Sequence, residues 1–166
     1  MVHWLSCDMV KIADSARIAG PGDVPALTTL INEAYLVEAF FKRGDRTDPL
    51  EIAALMRKGR FLVLGAGERL QGCVYVEVNG DRGYFGMLSI DPLSQKQGLG
   101  ARLVEAAEAL CRAEGCTRME LQVVSLRTEL PPFYRKLGYV EAGVREFVQT
   151  DEWTRPCHFI VMSKPL

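Results

Sequence analysis

Two spacings of apolar residues alternate along the chain and predict a protein built from both helices and strands. Leu27, Leu30 and Ile31 lie three and four positions apart, the spacing of a buried stripe on a helix. A longer stripe of the same kind runs from Leu99 to Leu110. Other stretches are short and rich in β-branched and aromatic residues, which favour strands. The predicted elements, in chain order, are a strand at 15–19, a helix following residue 23, a helix at 50–58, strands at 61–65, 71–78 and 84–90, a helix from 101 to about 114, a strand at 119–124, a helix at 131–137, and strands near 144–148 and 158–163.

Turn signals indicate how these elements connect. Asn79-Gly80 between two strand-like runs is a strong hairpin signal, and Gly67 marks the turn before it. Three consecutive strands are therefore expected to form an antiparallel meander. Asp23 precedes the first helix and is predicted to cap it. The element order predicts an α+β fold with a single mixed, mostly antiparallel sheet flanked by helices.

The segment 95–100 stands between a predicted strand and a predicted helix and contains Gly98 and Gly100. The first N–H groups of a helix have no intrahelical partners and lie at the positive end of the helix dipole. Glycines remove the Cβ atoms that would keep a phosphate away from them. The segment is therefore interpreted as a pyrophosphate cradle. A dinucleotide fingerprint fits poorly because Leu103 stands where a third glycine is needed, and a P-loop is excluded because no G-K-[ST] follows.

Composition limits the class of protein. The chain has 166 residues, 48% of them hydrophobic and 25% charged, which suits one globular domain, expected at 15–166 after a loose arm at 1–14. The formal net charge of −1 gives no long-range attraction to nucleic acid or anionic membranes. The N-terminus lacks a signal-peptide pattern, and a cytoplasmic protein is expected. The five scattered cysteines are expected to be reduced and to hold no metal.

Two motifs resemble those of the GNAT superfamily of N-acetyltransferases. Gln95-x-x-Gly98-x-Gly100 after a strand is similar to the superfamily's acyl-CoA pyrophosphate motif. The segment 133–139, which reads FYRKLGY, is similar to its late F-Y-x-x-x-G-F/Y helix. The order of elements from about residue 15 onward also matches.

The resemblance implies acetyl-CoA as acyl donor, held in a V-shaped gap beside the strand that precedes the cradle. It also implies an oxyanion donor, assigned here to the backbone N–H of Leu88, and a general acid, assigned to Tyr134. Arg127 stands where relatives frequently have asparagine. The implied donor-binding residues are Leu88, Ser89, Ile90, Gln95, Lys96, Gln97, Gly98, Leu99, Gly100, Ala101, Arg127 and Tyr134.

The acceptor side is less defined. Some relatives carry a glutamate base on the strand before the cradle, where this chain has Gly86; Glu77, Glu120, His158 or a water chain are the alternatives. The loop from Glu38 to Arg46 corresponds to a segment that walls the acceptor site in relatives. Its aromatic and cationic side chains are therefore candidates for binding an apolar or anionic part of the acceptor, namely Phe40, Phe41, Arg43 and Arg46. The implied acceptor-binding residues are Glu38, Phe40, Phe41 and Arg43.

The predicted activity is acetyl transfer from acetyl-CoA to a primary amine, by direct attack in a ternary complex. A small-molecule acceptor is expected. Two alternatives remain open, a non-catalytic acyl-CoA-binding module and an acetyltransferase acting on protein amines. Homodimers are common in the superfamily, and the sequence leaves the oligomeric state open.

Overall fold

A computed structural model describes residues 16–65 and 68–166. The predicted arm at 1–14 and the Gly67 turn lie outside these residues. Within them, four α-helices and seven strands follow the predicted order. They are β1 (Arg17–Ile18), α1 (Val24–Ala34), α2 (Pro49–Lys58), β2 (Arg60–Leu64), β3 (Gly72–Asn79), β4 (Arg82–Ile90), α3 (Leu99–Ala113), β5 (Arg118–Val124), α4 (Leu130–Lys136), β6 (Val140–Arg145) and β7 (Phe159–Pro165).

The described strands form one mixed sheet in the order β1-β2-β3-β4-β5-β7-β6. Only β4 and β5 pair in parallel among them, so the sheet is mostly antiparallel, as predicted. Side chains along β2 point alternately to the two faces of the sheet. Phe61 and Val63 pack among residues of α1 and α2. Leu62 and Leu64 pack among residues of α3 on the other face. Helices therefore cover both faces of the sheet.

Two boundary predictions and one capping prediction need correction. The sixth strand is Val140–Arg145 rather than 144–148; all six of its residues are exposed, so no buried alternation marks it in the sequence. Helix α3 begins at Leu99 rather than at 101 because the left-handed Gly98 takes the N-cap position. Asp23 occupies the N-cap position of α1, but its carboxylate accepts from Arg17 and the Gly20 N–H rather than from the helix.

In the part of the chain that the structure describes, no helix combines the length and apolar character needed to cross a membrane.

Candidate active site

Strands β4 and β5 separate partway along their length and leave a gap in the sheet. They pair where Arg82–Tyr84 faces Arg118–Glu120. Beyond that point β4 continues to Ile90 and β5 to Val124 without further pairing to each other. Because β4 stays with β3 and β5 stays with β7, the two strands diverge and backbone groups border the gap.

A β-bulge in β4 lies beside this gap. The register between β3 and β4 shifts so that Met87 and Leu88 together face the single residue Val74. Met87 has a φ of +52°, a left-handed conformation that costs a non-glycine residue about 1–2 kcal/mol. The buried Ser89 hydroxyl donates to the Met87 carbonyl at 3.0 Å and holds this conformation. Leu88 lies in this bulge and has no register partner in β3 or β5.

The loop after β4 and the first turn of α3 form a backbone cradle. Lys96 and Gly98 both adopt left-handed conformations, with φ values of +65° and +73°. The Arg102 N–H donates to the Gly98 carbonyl at 3.2 Å, so the N–H groups of residues 99–101 precede the first bond of the helix and have no intrahelical partner. Such N–H groups at the positive end of a 15-residue helix bind phosphate groups.

A cavity of about 500 Å³, the helix-side cavity, lies between this cradle, β4 and α4. A Cβ atom added to Gly100 would lie 3.4 Å from Phe133 and 4.0 Å from Leu88, so the glycine keeps one wall of the cavity clear. Among the residues assigned to the acyl donor, Ser89 and Gln97 do not line the cavity. Those that do are Leu88, Ile90, Gln95, Lys96, Gly98, Leu99, Gly100, Ala101, Arg127 and Tyr134.

A second cavity of about 280 Å³, the loop-side cavity, occupies the gap between β4 and β5. Several residues line both cavities, namely Tyr35, Leu88, Arg127, Leu130 and Tyr134. The two cavities therefore meet around Leu88 and Tyr134. A molecule bound in one cavity would contact a molecule bound in the other at this point.

The Tyr134 side chain lies at the meeting point and is 5% exposed. Its ring packs against Phe85, Phe133 and Tyr139, with centroid separations of 5.8, 5.0 and 6.2 Å. Burial raises the pKa of the phenol above its usual value, so the hydroxyl remains protonated at neutral pH. No hydrogen bond engages this hydroxyl within residues 16–65 and 68–166, which leaves its proton for a bound molecule.

A buried ion pair crosses the meeting point from the other side. Glu38 is 6% exposed and its Oε1 lies 3.2 Å from Nη1 of Arg127, whose Nε donates to Glu129 at 2.6 Å. Burial raises the pKa of Glu38, and the Arg127 guanidinium opposes that rise. Glu38 lines the loop-side cavity and Arg127 lines both. The ion pair thus fixes the loop after α1 to the segment before α4.

The three alternative bases lie away from both cavities. The Glu77 carboxylate accepts a hydrogen bond from the Tyr75 hydroxyl at 2.9 Å. The Glu120 carboxylate lies 3.8 Å from the Arg82 guanidinium, where β4 and β5 are still paired. The main-chain N–H of His158 donates to the Ser125 hydroxyl. None of the three lines either cavity. Among the described residues that line the loop-side cavity, Glu38 supplies the carboxylate.

Gly86 lines the loop-side cavity and stands where the resemblance implies a general base in some relatives. A Cβ atom there would lie 2.7 Å from the Tyr84 hydroxyl, so the glycine makes room for Tyr84. Tyr84, Tyr35, Trp153 and Phe159 also line this cavity, and the sequence reasoning missed all of them. Their spacing carries no signal, because four separate segments bring them together.

Two loops join over the loop-side cavity. The Arg43 N–H donates to the Glu152 carbonyl at 2.7 Å, and the Thr154 N–H donates to the Phe41 carbonyl at 2.8 Å. Phe41 is fully buried and stacks on Trp153, with ring centroids 6.1 Å apart. The loop between β6 and β7 is therefore fastened to the loop between α1 and α2.

The residues predicted for acceptor binding separate in the structure. Glu38 lines the loop-side cavity, whereas Phe40 and Phe41 line neither of the two cavities. Arg43 lines a neighbouring surface hollow of about 370 Å³. Arg46, from the same loop, lines both this hollow and the loop-side cavity. Across the described ranges, no group of three His, Cys, Asp or Glu side chains is placed to hold a metal ion.

Solved structures of similar fold are numerous. The ribosomal-protein-S18-alanine N-acetyltransferase of Escherichia coli is 19% identical, with a TM-score of 0.71 over 91% of this chain and 92% of that one. Ard1 of Thermoplasma volcanium is 18% identical, with a TM-score of 0.75 over 92% and 97%. A phosphinothricin acetyltransferase of Sinorhizobium meliloti, in complex with acetyl-CoA, is 16% identical, with a TM-score of 0.72 over 92% and 88%. These structural similarities show that this chain shares the fold of the three proteins.

Among curated proteins, none matches this sequence. The family model described as "Acetyltransferase (GNAT) family" matches residues 25–139. That match spans α1 to the end of the Tyr134 segment, including the cradle and both strands of the gap, and it covers more than half of the chain. The chain therefore belongs to the GNAT family of acetyl-CoA-dependent N-acetyltransferases.

Proposed function

We propose that this protein transfers an acetyl group from acetyl-CoA to a primary amine of a small molecule, by direct attack within a ternary complex. The observation that supports the proposal best is the meeting of the two cavities at Leu88 and Tyr134. One cavity ends at a phosphate-binding cradle, and the other ends beneath the joined loops. A thioester entering from the cradle side and an amine entering from the other side would come together beside these two residues.

The cradle would hold the diphosphate of the donor. The N–H groups of residues 99–101 supply donors in fixed positions, and helix termini favour anions through the helix dipole. The parting of β4 from β5 leaves β4 backbone groups near Ile90 for the pantetheine amides. Donor binding therefore rests mainly on the main chain.

The Leu88 N–H would stabilise the oxyanion that develops on the thioester carbonyl. Leu88 lies in the bulge beside Met87, without a register partner in β3 or β5, and lines both cavities. One such preorganised donor is typically worth about 10²–10³-fold in rate. Stored backbone strain of this kind is concentrated at functional sites.

The Tyr134 hydroxyl would protonate the departing thiolate. Burial keeps the phenol protonated by raising its pKa, and its hydroxyl has no competing partner within the described residues. Positioned general acids contribute about 10²–10⁴-fold. The amine must arrive neutral or lose a proton first, since the reference pKa of a lysine amine is about 10.4 and that of an α-amine about 7.7–8.0.

The loop-side cavity supports a small acceptor. Its volume of about 280 Å³ lies just below the roughly 300–1,000 Å³ typical of pockets for drug-sized ligands. The backbone bonds of Arg43 and Thr154 join the loops above it. A protein acceptor is the second candidate, because one structural neighbour is a ribosomal-protein-S18-alanine N-acetyltransferase.

The test is an acetyl-transfer assay with thiol detection and mass spectrometry of the products. The acceptors are amino acids, polyamines, aminoglycosides and a peptide that begins with alanine, each mixed with acetyl-CoA and the protein. The proposal predicts acetylated small amines and an unmodified peptide. Acetylation of the peptide alone would indicate a protein acceptor instead, and binding of acetyl-CoA without any turnover would indicate a non-catalytic module.

A further inference from the structure

The charged side chains of the loop-side cavity are unbalanced. Lys42, Arg46 and Arg127 line it as cations, and Glu38 lines it as the carboxylate among the described residues. The chain as a whole carries a formal net charge of −1, so this local excess of positive charge is not a property of the whole surface. Partly buried charges without partners are unfavourable unless a ligand or solvent compensates them.

Two of the three cations already have carboxylate partners. Arg127 contacts Glu38 and Glu129 at 3.2 and 2.6 Å. Lys42 lies 3.6 Å from Glu152 and 5.9 Å from the centroid of the Trp153 ring. Their charges are therefore largely neutralised by side chains that hold the loops in place.

Arg46 differs from the other two. Its guanidinium lies 5.3 Å from the centroid of the Tyr35 ring, and no carboxylate lies within 4.0 Å of it in the described part of the chain. Its positive charge opposes the rise in pKa that burial causes at Tyr35, Glu38 and Tyr84. Arg46 lines the loop-side cavity together with these three groups, and within the described residues its guanidinium N–H groups donate no hydrogen bond.

We propose that the acceptor amine carries an oxyanion, a carboxylate or a phosphate-type group, which the Arg46 guanidinium binds. This proposal rests on the proposed acetyl transfer. A planar guanidinium matches such oxyanions with two parallel hydrogen bonds. Binding at Arg46 would orient the amine toward the other end of the cavity, where Leu88 and Tyr134 lie. The same charge would disfavour polycationic acceptors such as polyamines.

The test compares acceptors in matched pairs at one pH. One arm uses an L-amino acid and its carboxamide, and the other uses 2-aminoethyl phosphate and ethanolamine. kcat/KM is measured for the wild type, for Arg46→Gln and for Arg46→Lys. Arg57→Gln is the matched control, because Arg57 is exposed in α2 and lines none of the three cavities described. Thermal unfolding of each variant checks that it folds.

The wild type should prefer the oxyanion-bearing member in at least one arm. Arg46→Gln should lower kcat/KM for that member about 10- to 100-fold, the range expected for one charged hydrogen bond, and change the neutral member less than about threefold. For the oxyanion-bearing member, the kcat/KM of Arg46→Lys should lie between those of the wild type and Arg46→Gln. The kcat/KM of Arg57→Gln should match that of the wild type. The pair in which Arg46→Gln lowers kcat/KM only for the charged member shows whether the oxyanion is a carboxylate or a phosphate.

Two outcomes count against the proposal and can be told apart. If neutral members are acetylated as well as their charged counterparts, or if Arg46→Gln lowers both members equally, the oxyanion proposal is wrong while acetyl transfer stands. If no member of either pair is acetylated but a polyamine or an aminoglycoside is, the oxyanion proposal is wrong and acetyl transfer again stands. If no small amine is acetylated, the proposed function fails and the oxyanion proposal fails with it.

Discussion

Replacing Tyr134 by phenylalanine removes one hydroxyl from the point where the two cavities meet. The ring contacts with Phe85 and Phe133 are retained, and the hydroxyl makes no hydrogen bond within the described residues. Because no hydrogen bond is lost, the free energy of unfolding should change by less than about 1 kcal/mol. The affinity for acetyl-CoA, which we propose to depend mainly on the cradle, should be nearly unchanged.

The rate should respond very differently. Loss of a positioned general acid lowers kcat about 10²–10⁴-fold, which corresponds to about 3–5 kcal/mol in the activation free energy. Since burial raises the pKa of Tyr134, the phenol of the wild type stays protonated through the neutral range. Steady-state thiol release with the best acceptor measures kcat, and titration calorimetry with acetyl-CoA measures the affinity.

Tyr139→Phe is the matched control for this experiment. Tyr139 is 1% exposed and belongs to the same aromatic cluster, but its hydroxyl donates to the Glu108 carboxylate at 3.2 Å. Its loss should lower the free energy of unfolding by about 1.5–3 kcal/mol, as for other hydrogen bonds to charged groups, and should leave kcat unchanged. A kcat for Tyr134→Phe within threefold of the wild type would refute the acid role.

Two further predictions concern the cradle and its support. Gly100→Val should weaken the binding of both CoA and acetyl-CoA at least tenfold in calorimetry, because the valine side chain would extend toward Phe133 and Leu88 in the helix-side cavity. Gly22→Ala is the control, because a Cβ there meets nothing within 4 Å. Equal affinities of Gly100→Val and the wild type would contradict the proposal that the cradle binds the diphosphate. The hydrogen bond from Arg69 lowers the pKa of Asp91 below the usual value of an aspartate. This pair therefore stabilises the fold fully above that usual value, and the stabilisation is lost as the pH falls through the lowered pKa. Arg69→Gln should therefore reduce the free energy of unfolding at pH 7, and its difference from the wild type should shrink below pH 4 in urea titrations; a difference independent of pH would contradict this.

Local sequence signals predicted the parts of the site that consist of contiguous residues. The cradle is marked by Gly98 and Gly100 between a strand and an amphipathic helix, and the structure places both glycines on the wall of the helix-side cavity. Tyr134 was located by the short motif around it. Such features depend on neighbours within one or two turns of chain, which a sequence displays directly.

Long-range features could not be predicted in this way. Glu38 and Arg127 are 89 positions apart in the sequence, and the bond from Thr154 to Phe41 joins loops that share no pattern. The left-handed conformation of Met87 is also invisible in the sequence, because methionine has no preference for it. The cationic side chains of the loop were candidates from the sequence, but the pairing of their charges and the joining of the two loops depend on these long-range contacts and emerged only from the structure.

The central claim is that the helix-side cavity, with the cradle of α3, binds acetyl-CoA. Its most direct test is the thermal unfolding of the protein with acetyl-CoA, with CoA and with a nicotinamide dinucleotide. At about a hundred times its Kd, a ligand stabilises the folded state by about 2.7 kcal/mol, or roughly 5–10 °C for a chain of this size. Acetyl-CoA and CoA should raise the Tm by this amount, and the dinucleotide should leave it unchanged. The absence of a shift with millimolar acetyl-CoA, or an equal shift with the dinucleotide, would contradict the account.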